Sequence, residues 1–314
     1  MSCPVADTGH RPVLLEETLE ALAIHPAGFY VDGTFGRGGH ARAILARLGD
    51  AGRLLALDRD PAAVEAARAL AERDPRLWVE HAPFSRLPEI ARRHGLLGAV
   101  DGLLLDIGVS SPQLDQAGRG FSFAADGPLD MRMDNSAGET AAQWLARAPE
   151  AEIARVLHEY GEERFSRRIA RAIVAARVGA PILSTGRLAT IVAGACPTRE
   201  PGKHPATRTF QAIRIQINRE LEELGAALAA VRELLSLGGR LVVISFHSLE
   251  DRLVKRFIRD QSRGERYPRG VPVRAAATQG WLRPLGKAVQ ASAEEVGANP
   301  RARSAMLRVA ERRS

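Results

Sequence analysis

"YVDGTFGRGGHARAIL" (30–45) decides the fold. A short apolar run ends in a glycine-rich turn, and an alanine-rich stretch of helical period follows. Strand, turn and helix in that order bring backbone N–H groups close to a ligand at the helix N-terminus. Gly36-Arg37-Gly38-Gly39-His40-Ala41 matches the pattern G-x-G-x-x-G/A, and Asp58 ends the next apolar run. Two ligands fit this pattern: a dinucleotide, with the acid on a ribose hydroxyl, or S-adenosylmethionine, whose sites share the geometry. Asp32, directly ahead of the turn, separates them. A carboxylate there repels a pyrophosphate and suits the ammonium and sulfonium of S-adenosylmethionine. Nor does the chain carry a Walker phosphate loop, because Pro197 stands where Gly202-Lys203 would need a glycine.

Further strands are expected at "RLLALD" (53–58), "LWVEHAPF" (77–84) and "DGLLLDIG" (101–108), alternating with helical stretches at 39–49 and 61–74. Asp60-Pro61 reads as an N-cap followed by proline at the first helical position. This order predicts an α/β fold with a parallel sheet covered on both faces. The next strand, "RLVVISF" (240–246), comes far later than one crossover requires, so a domain is inserted. Its content is helical, at 150–161, 163–177 and 186–194, and a long amphipathic run, 209–235, leads back to the sheet. The expected division is a sheet domain of 1–124 and 220–314 around an inserted all-helical domain, 125–219. A basic helix (249–259) and a late strand (304–312) complete the pattern.

The 314 residues are 45% hydrophobic and 26% charged, as in soluble globular chains. With no apolar run long enough to span a bilayer and no signal region at the start, a cytoplasmic protein is expected, with no membrane partner. Cys3 and Cys196 form neither a disulfide framework nor a zinc pattern, so no metal is expected. Residues 252–314 hold 15 Lys and Arg against 5 Asp and Glu, a net of +10 in a chain whose total is +7. A basic excess this local points to a polyanion, and nucleic acid is the usual one.

Candidate site residues collect where strands end. Phe84, after the third strand, could pack on an adenine. "DIGVSSPQLD" (106–115), after the fourth, offers Asp106, Ser110, Ser111 and Gln113 at the carboxyl edge where open α/β sheets bind ligands.

The chain resembles the MraW (RsmH) methyltransferase family. The resemblance is carried by "HRPVLLEE" (10–17), "VDGTFGRGGH" (31–40), "ALDRDP" (56–61), "DIGVSSPQLD" (106–115) and "RGFSF" (119–123). It continues through "DGPLDMRMD" (126–134), "YGEERFSRRIARAI" (160–173), "HPATRTFQAIRI" (204–215), "GGRLVVISFHSLEDR" (238–252) and "NPRARSAMLRVAER" (299–312). It implies a class I, Rossmann-like, S-adenosylmethionine-dependent fold with an inserted helical domain for RNA recognition. The implied activity is methyl transfer to the exocyclic N4 of a cytidine in the decoding region of 16S ribosomal RNA. Carried onto matching positions, Gly38, Gly39 and His40 would line the methionine end beside Asp32, and Asp58 the ribose. Phe84, Asp106 and Gln113 would complete the pocket. The partner implied is 16S ribosomal RNA or the small subunit, with a homodimer left open.

Cytosine N4 is a poor nucleophile because its lone pair is delocalised, so the protein must align it and accept its proton. Asp106, Ser110 and Ser111 are the acceptor candidates, and His247 in "SFHSLEDR" is a further acid–base candidate. Methylation at ring carbon C5 would need a cysteine nucleophile, and neither Cys3 nor Cys196 is well placed. For RNA contact, Lys203 and His204 lie beside "TRTFQAIR", and Arg301 and Arg303 in the basic tail. The rival readings are a non-catalytic RNA-binding or ribosome-assembly protein of the same fold, and an NAD-linked oxidoreductase.

Overall fold

The computed structural model describes residues 12–198, 202, 204–264 and 279–313; Cys3 and Lys203 lie outside them. Two compact units are formed, one from residues 1–108 and 223–314, the other from 109–222.

The first unit holds an eight-stranded sheet: β1 (Phe29–Asp32), β2 (Arg53–Asp58), β3 (Leu77–His81), β4 (Val100–Asp106), β5 (Leu235–Ser245), β6 (Leu282–Pro284), β7 (Val289–Gln290) and β8 (Met306–Arg312). Its order is β3-β2-β1-β4-β5-β8-β6, with β7 also on β8. The first five strands are parallel, and β8 runs antiparallel to β5, β6 and β7. This is the Rossmann-like α/β sheet that the resemblance implies. Strand alternation sorts the core into two layers. Val31, Leu55, Leu103 and Val243 pack with Leu87, Leu228 and Val254 on one face. Tyr30, Leu54, Leu104 and Val242 pack with Leu19, Ile44 and Ala67 on the other. Burial on both faces is why these strands read as continuous apolar runs. Asp60 caps the helix Pro61–Ala71 as expected, its Oδ1 accepting from the Ala62 N–H at 3.0 Å.

The second unit is helical: Ala141–Arg147, Glu150–Glu159, Ser166–Gly179, Thr185–Ala195 and Thr207–Asn218 enclose Trp144, Ile153, Ile169, Leu188 and Phe210. It starts earlier than the expected 125, because the segment before that is tied into it. Met131 N–H donates to the Arg119 carbonyl at 3.1 Å, and Arg119 Nη2 donates to the Met133 carbonyl at 2.8 Å. The run 209–235 is not one helix. Arg219, at φ 52°, separates Thr207–Asn218 from Glu220–Leu234. Asn218, buried there, accepts from the Met133 N–H at 2.8 Å and donates to the Met131 carbonyl at 2.7 Å. No helix among the described residues is long and apolar enough to cross a membrane.

Candidate functional site at the carboxyl edge of the sheet

Three carboxylates end three neighbouring strands: Asp32 on β1, Asp58 on β2 and Asp106 on β4. Thr34 links two of them. Its N–H and Oγ1 donate to Asp32 Oδ1 at 3.0 and 3.3 Å, and its Oγ1 accepts from the Asp106 N–H at 2.7 Å. Asp58 is held by backbone donors, Gly36 N–H on Oδ2 and Asp60 N–H on Oδ1, both at 2.8 Å. The glycine turn is thereby fastened to the end of β2.

Burial pushes the Asp32 carboxyl up to about 7, against its bonds from Thr34 and with the charge of Asp58 adding to the rise. Asp106 is pushed up to about 8 by burial and then by the charges of Asp32 and Glu250. Asp58 is also raised by burial, opposed by its backbone bonds. Asp32 Oδ2 and Asp106 Oδ1 are buried without a hydrogen-bond partner in the structure. Buried acceptors left open this way cost free energy until a donor or cation meets them. His40 Nδ1 stands 3.5 Å from Asp106 Oδ2, and burial lowers the imidazole to about 4, so the ring is neutral near neutral pH.

The glycines do something the sequence pattern does not reveal. A Cβ on Gly39 would lie 2.2 Å from Pro12 Cγ, and one on Gly38, at φ 72°, would lie 2.5 Å from the Phe35 ring. Those faces of the turn are filled by the protein itself, and Gly38 needs its left-handed backbone besides. At Gly38 and Gly39 the turn presents backbone, with the exposed Arg37 and the buried His40 ring beside it. Phe84 opens a short 3-10 turn after β3 and lies against β1, where a Cβ on Gly33 would come within 3.3 Å of its own Cβ.

Thus Asp32, Gly38, Gly39, His40, Asp58, Phe84 and Asp106 all belong to the sheet unit. Ser110, Ser111 and Gln113 belong to the helical unit, at the start of the helix Ser111–Asp115, where Gln113 Oε1 accepts from the Ser110 N–H at 2.9 Å. His247 has a structural task. It precedes the helix Ser248–Gln261, and its Nε2 lies 2.9 Å from Glu250 Oε1, while Glu250 Oε2 accepts from the Phe246 N–H at 2.9 Å. Arg301 and Arg303 lie on a short 3-10 turn of the sheet unit. Thr34 and Glu250 are the residues that pattern reading misses. A threonine two residues after a carboxylate is the local turn signal that could have flagged the first.

The model of the MraW methylase family matches residues 7–313. A ribosomal RNA small subunit methyltransferase H of an Azoarcus species is 61% identical over 308 residues, 98% of this chain and 98% of that protein. The protein of the same name from Aromatoleum aromaticum is 62% identical over 304 residues, covering 96% of each chain. Among solved structures, an rRNA methylase from Streptococcus thermophilus aligns over 98% of this chain and 99% of its own, with 12% identity and a TM-score of 0.39. A family match along nearly the whole chain, with relatives this similar over their full length, leaves one assignment: the chain belongs to the MraW methylase family.

Proposed function

We propose that this protein transfers a methyl group from S-adenosylmethionine to the exocyclic N4 of a cytidine in the decoding region of 16S ribosomal RNA, in the cytoplasm. The observation that carries the reading is the open acceptor pair, Asp32 Oδ2 and Asp106 Oδ1, buried among three carboxyls. Such a site favours a cation with N–H donors and disfavours a pyrophosphate. It therefore favours the methyl donor over a nicotinamide dinucleotide. When bound, the cofactor supplies an electrophilic methyl group on a sulfonium.

The chain's own residues do the rest. Asp32 holds the ammonium through its open oxygen. Asp58 keeps a lone pair for the ribose hydroxyls beside the backbone bonds it accepts. Phe84 packs on the adenine, and Gly38, Gly39 and His40 border the methionine end. Asp106, once ionised, accepts the N4 proton, with Ser110 and Ser111 as further acceptors. Those two serines, and Gln113 as a cofactor ligand, enter from the sequence pattern. Cys196 fits a C5 mechanism poorly, because burial raises its thiol and a nucleophile must be a thiolate.

The test is transfer of labelled methyl from S-adenosylmethionine to small subunits lacking the modification, with the product nucleoside mapped by mass. N4-methylcytidine at the decoding region is expected. No transfer across a range of salt, with RNA binding intact, would replace the enzyme reading with that of a binding protein.

A further inference from the structure

Several arginines of the helical unit are engaged within it. Arg132 pairs with Asp130 at 2.7 Å, Arg155 with Glu159 at 2.7 Å and Arg147 with Glu139 at 2.5 Å, and Arg177 is spent on the Leu145 and Ala148 carbonyls. The helix Ser166–Gly179 is different. Ser166, Ile169, Ala170 and Ile173 form its buried stripe. Arg167, Arg168 and Arg171 follow the same three-and-four spacing on its opposite side, Arg164 lies in the turn just ahead of the helix, and all four are exposed. Arg171 reaches Glu150 only at 3.8 Å. Arg164, Arg167 and Arg168 make no ion pair among the described residues.

A cavity opens at the same end of this helix, lined by Glu163, Arg164, Phe165, Cys196, His204 and Arg208 among others. The Arg164 guanidinium lies over the Phe165 ring at 4.6 Å, and His204 packs on Phe123 with ring centres 4.6 Å apart. Uncompensated guanidinium groups next to aromatic faces and a small polar hollow are the elements that hold a single nucleic-acid strand. Cations meet phosphates, and rings and guanidinium planes stack on bases.

We propose that Arg164, Arg167 and Arg168, with the cavity beside them, form a docking surface for a single-stranded segment of ribosomal RNA flanking the target cytidine. This rests on the function proposed above and adds the part of the chain that grips the substrate away from the reacting base. Three exposed arginines without an ion-pair partner among the described residues present a local excess of positive charge that suits a polyanion.

The test uses the full-length protein, an unmethylated RNA fragment of the decoding region, and a titration over salt. Arg164→Gln, Arg167→Gln and Arg168→Gln are combined in one variant. The slope of log affinity against log salt should become shallower by about two, as loss of three phosphate contacts on a single strand requires. KM for the RNA should rise about tenfold or more with little change in kcat, while S-adenosylhomocysteine affinity and the melting temperature stay at wild-type values. The matching triple lysine variant should restore the slope. A glutamine variant with wild-type slope and KM overturns the surface. So does one that binds the RNA fragment normally and loses only the assembled subunit, which would make the occupant a ribosomal protein. A wild type that binds the RNA with the expected slope and transfers no methyl sinks the reaction and supports the surface.

Discussion

The Asp106 N–H donates to Thr34 Oγ1 at 2.7 Å, so one hydroxyl ties the end of β4 to the turn that leaves β1. The same hydroxyl reaches Asp32 Oδ1 at 3.3 Å. Thr34 therefore sets the separation of two carboxyls that share no direct bond. Thr34→Val removes the acceptor and leaves a buried N–H unpaired, at a cost of about 1–3 kcal/mol. KM for S-adenosylmethionine should rise about tenfold, whereas Thr34→Ser should stay near wild type. Steady-state kinetics on both variants decide it. Equal defects in the two would show that shape, not the hydroxyl, matters.

Cofactor binding should depend on pH in a set direction. Asp32 and Asp106 are raised to about 7 and about 8. A cationic ligand needs them ionised, so binding at pH 6 must expel protons. Affinity for S-adenosylmethionine, which carries both the ammonium and the sulfonium, should climb between pH 6 and 8, by at most about tenfold per unit for each proton released. Calorimetry in buffers of different ionisation enthalpy measures that proton count directly. The ligand-free protein should show the complementary trend. Groups whose folded pKa lies above the unfolded one stabilise most at low pH, so this contribution fades as pH rises from about 4 to about 8. His40, lowered to about 4, acts oppositely: its contribution is present above about 6.5 and is lost as pH falls through about 4.

Asp58 has two separable tasks. Asp58→Ala strips the acceptor from the Gly36 and Asp60 N–H groups and should lower stability by about 1–3 kcal/mol. Asp58→Asn keeps one oxygen and should melt closer to wild type while losing cofactor affinity about tenfold. Thermal unfolding beside a ligand titration separates the effects. Wild-type affinity in Asp58→Asn would remove the ribose role.

The glycines of the turn should rank by what surrounds them. A Cβ on Gly36, at φ 55°, meets nothing nearer than the Thr34 carbonyl at 3.9 Å, so Gly36→Ala bears only the backbone cost of about 1–2 kcal/mol. Gly38→Ala bears that cost and also strikes Phe35. Gly39→Ala must displace Pro12, at about 1–3 kcal/mol of overpacking. Chemical denaturation of the three variants gives the order, and Gly38→Ala should be the least stable. If Gly36→Ala were worse than Gly38→Ala, backbone rather than crowding would rule the turn.

The parallel half of the sheet was legible because its strands are buried on both faces and bounded by turn residues. β6 and β7 were not, since they are short and meet the sheet only through β8. The break at Arg219 was invisible to periodicity, because the apolar spacing runs through a residue whose backbone turns left-handed. Within the site, residue types at strand ends were readable from Asp32, Asp58 and Asp106. Long-range bonds such as Thr34 to Asp106 were not. A spacing of 72 residues carries no local pattern. His247 shows the reverse hazard, a histidine that looks chemical and serves a helix start.

β8 lies between β5 and β6, although it follows both along the chain. Until residues 306–312 arrive, β5 keeps an unpaired edge, and β6 and β7 have no strand to join. Assembly on that side must run backwards relative to synthesis, with the latest strand admitting the earlier ones. During that interval a hydrophobic strand edge stands open to other chains, the condition under which nascent sheets aggregate. Arg308, paired with Asp251 at 2.6 Å, then locks the newcomer to the helix that follows β5.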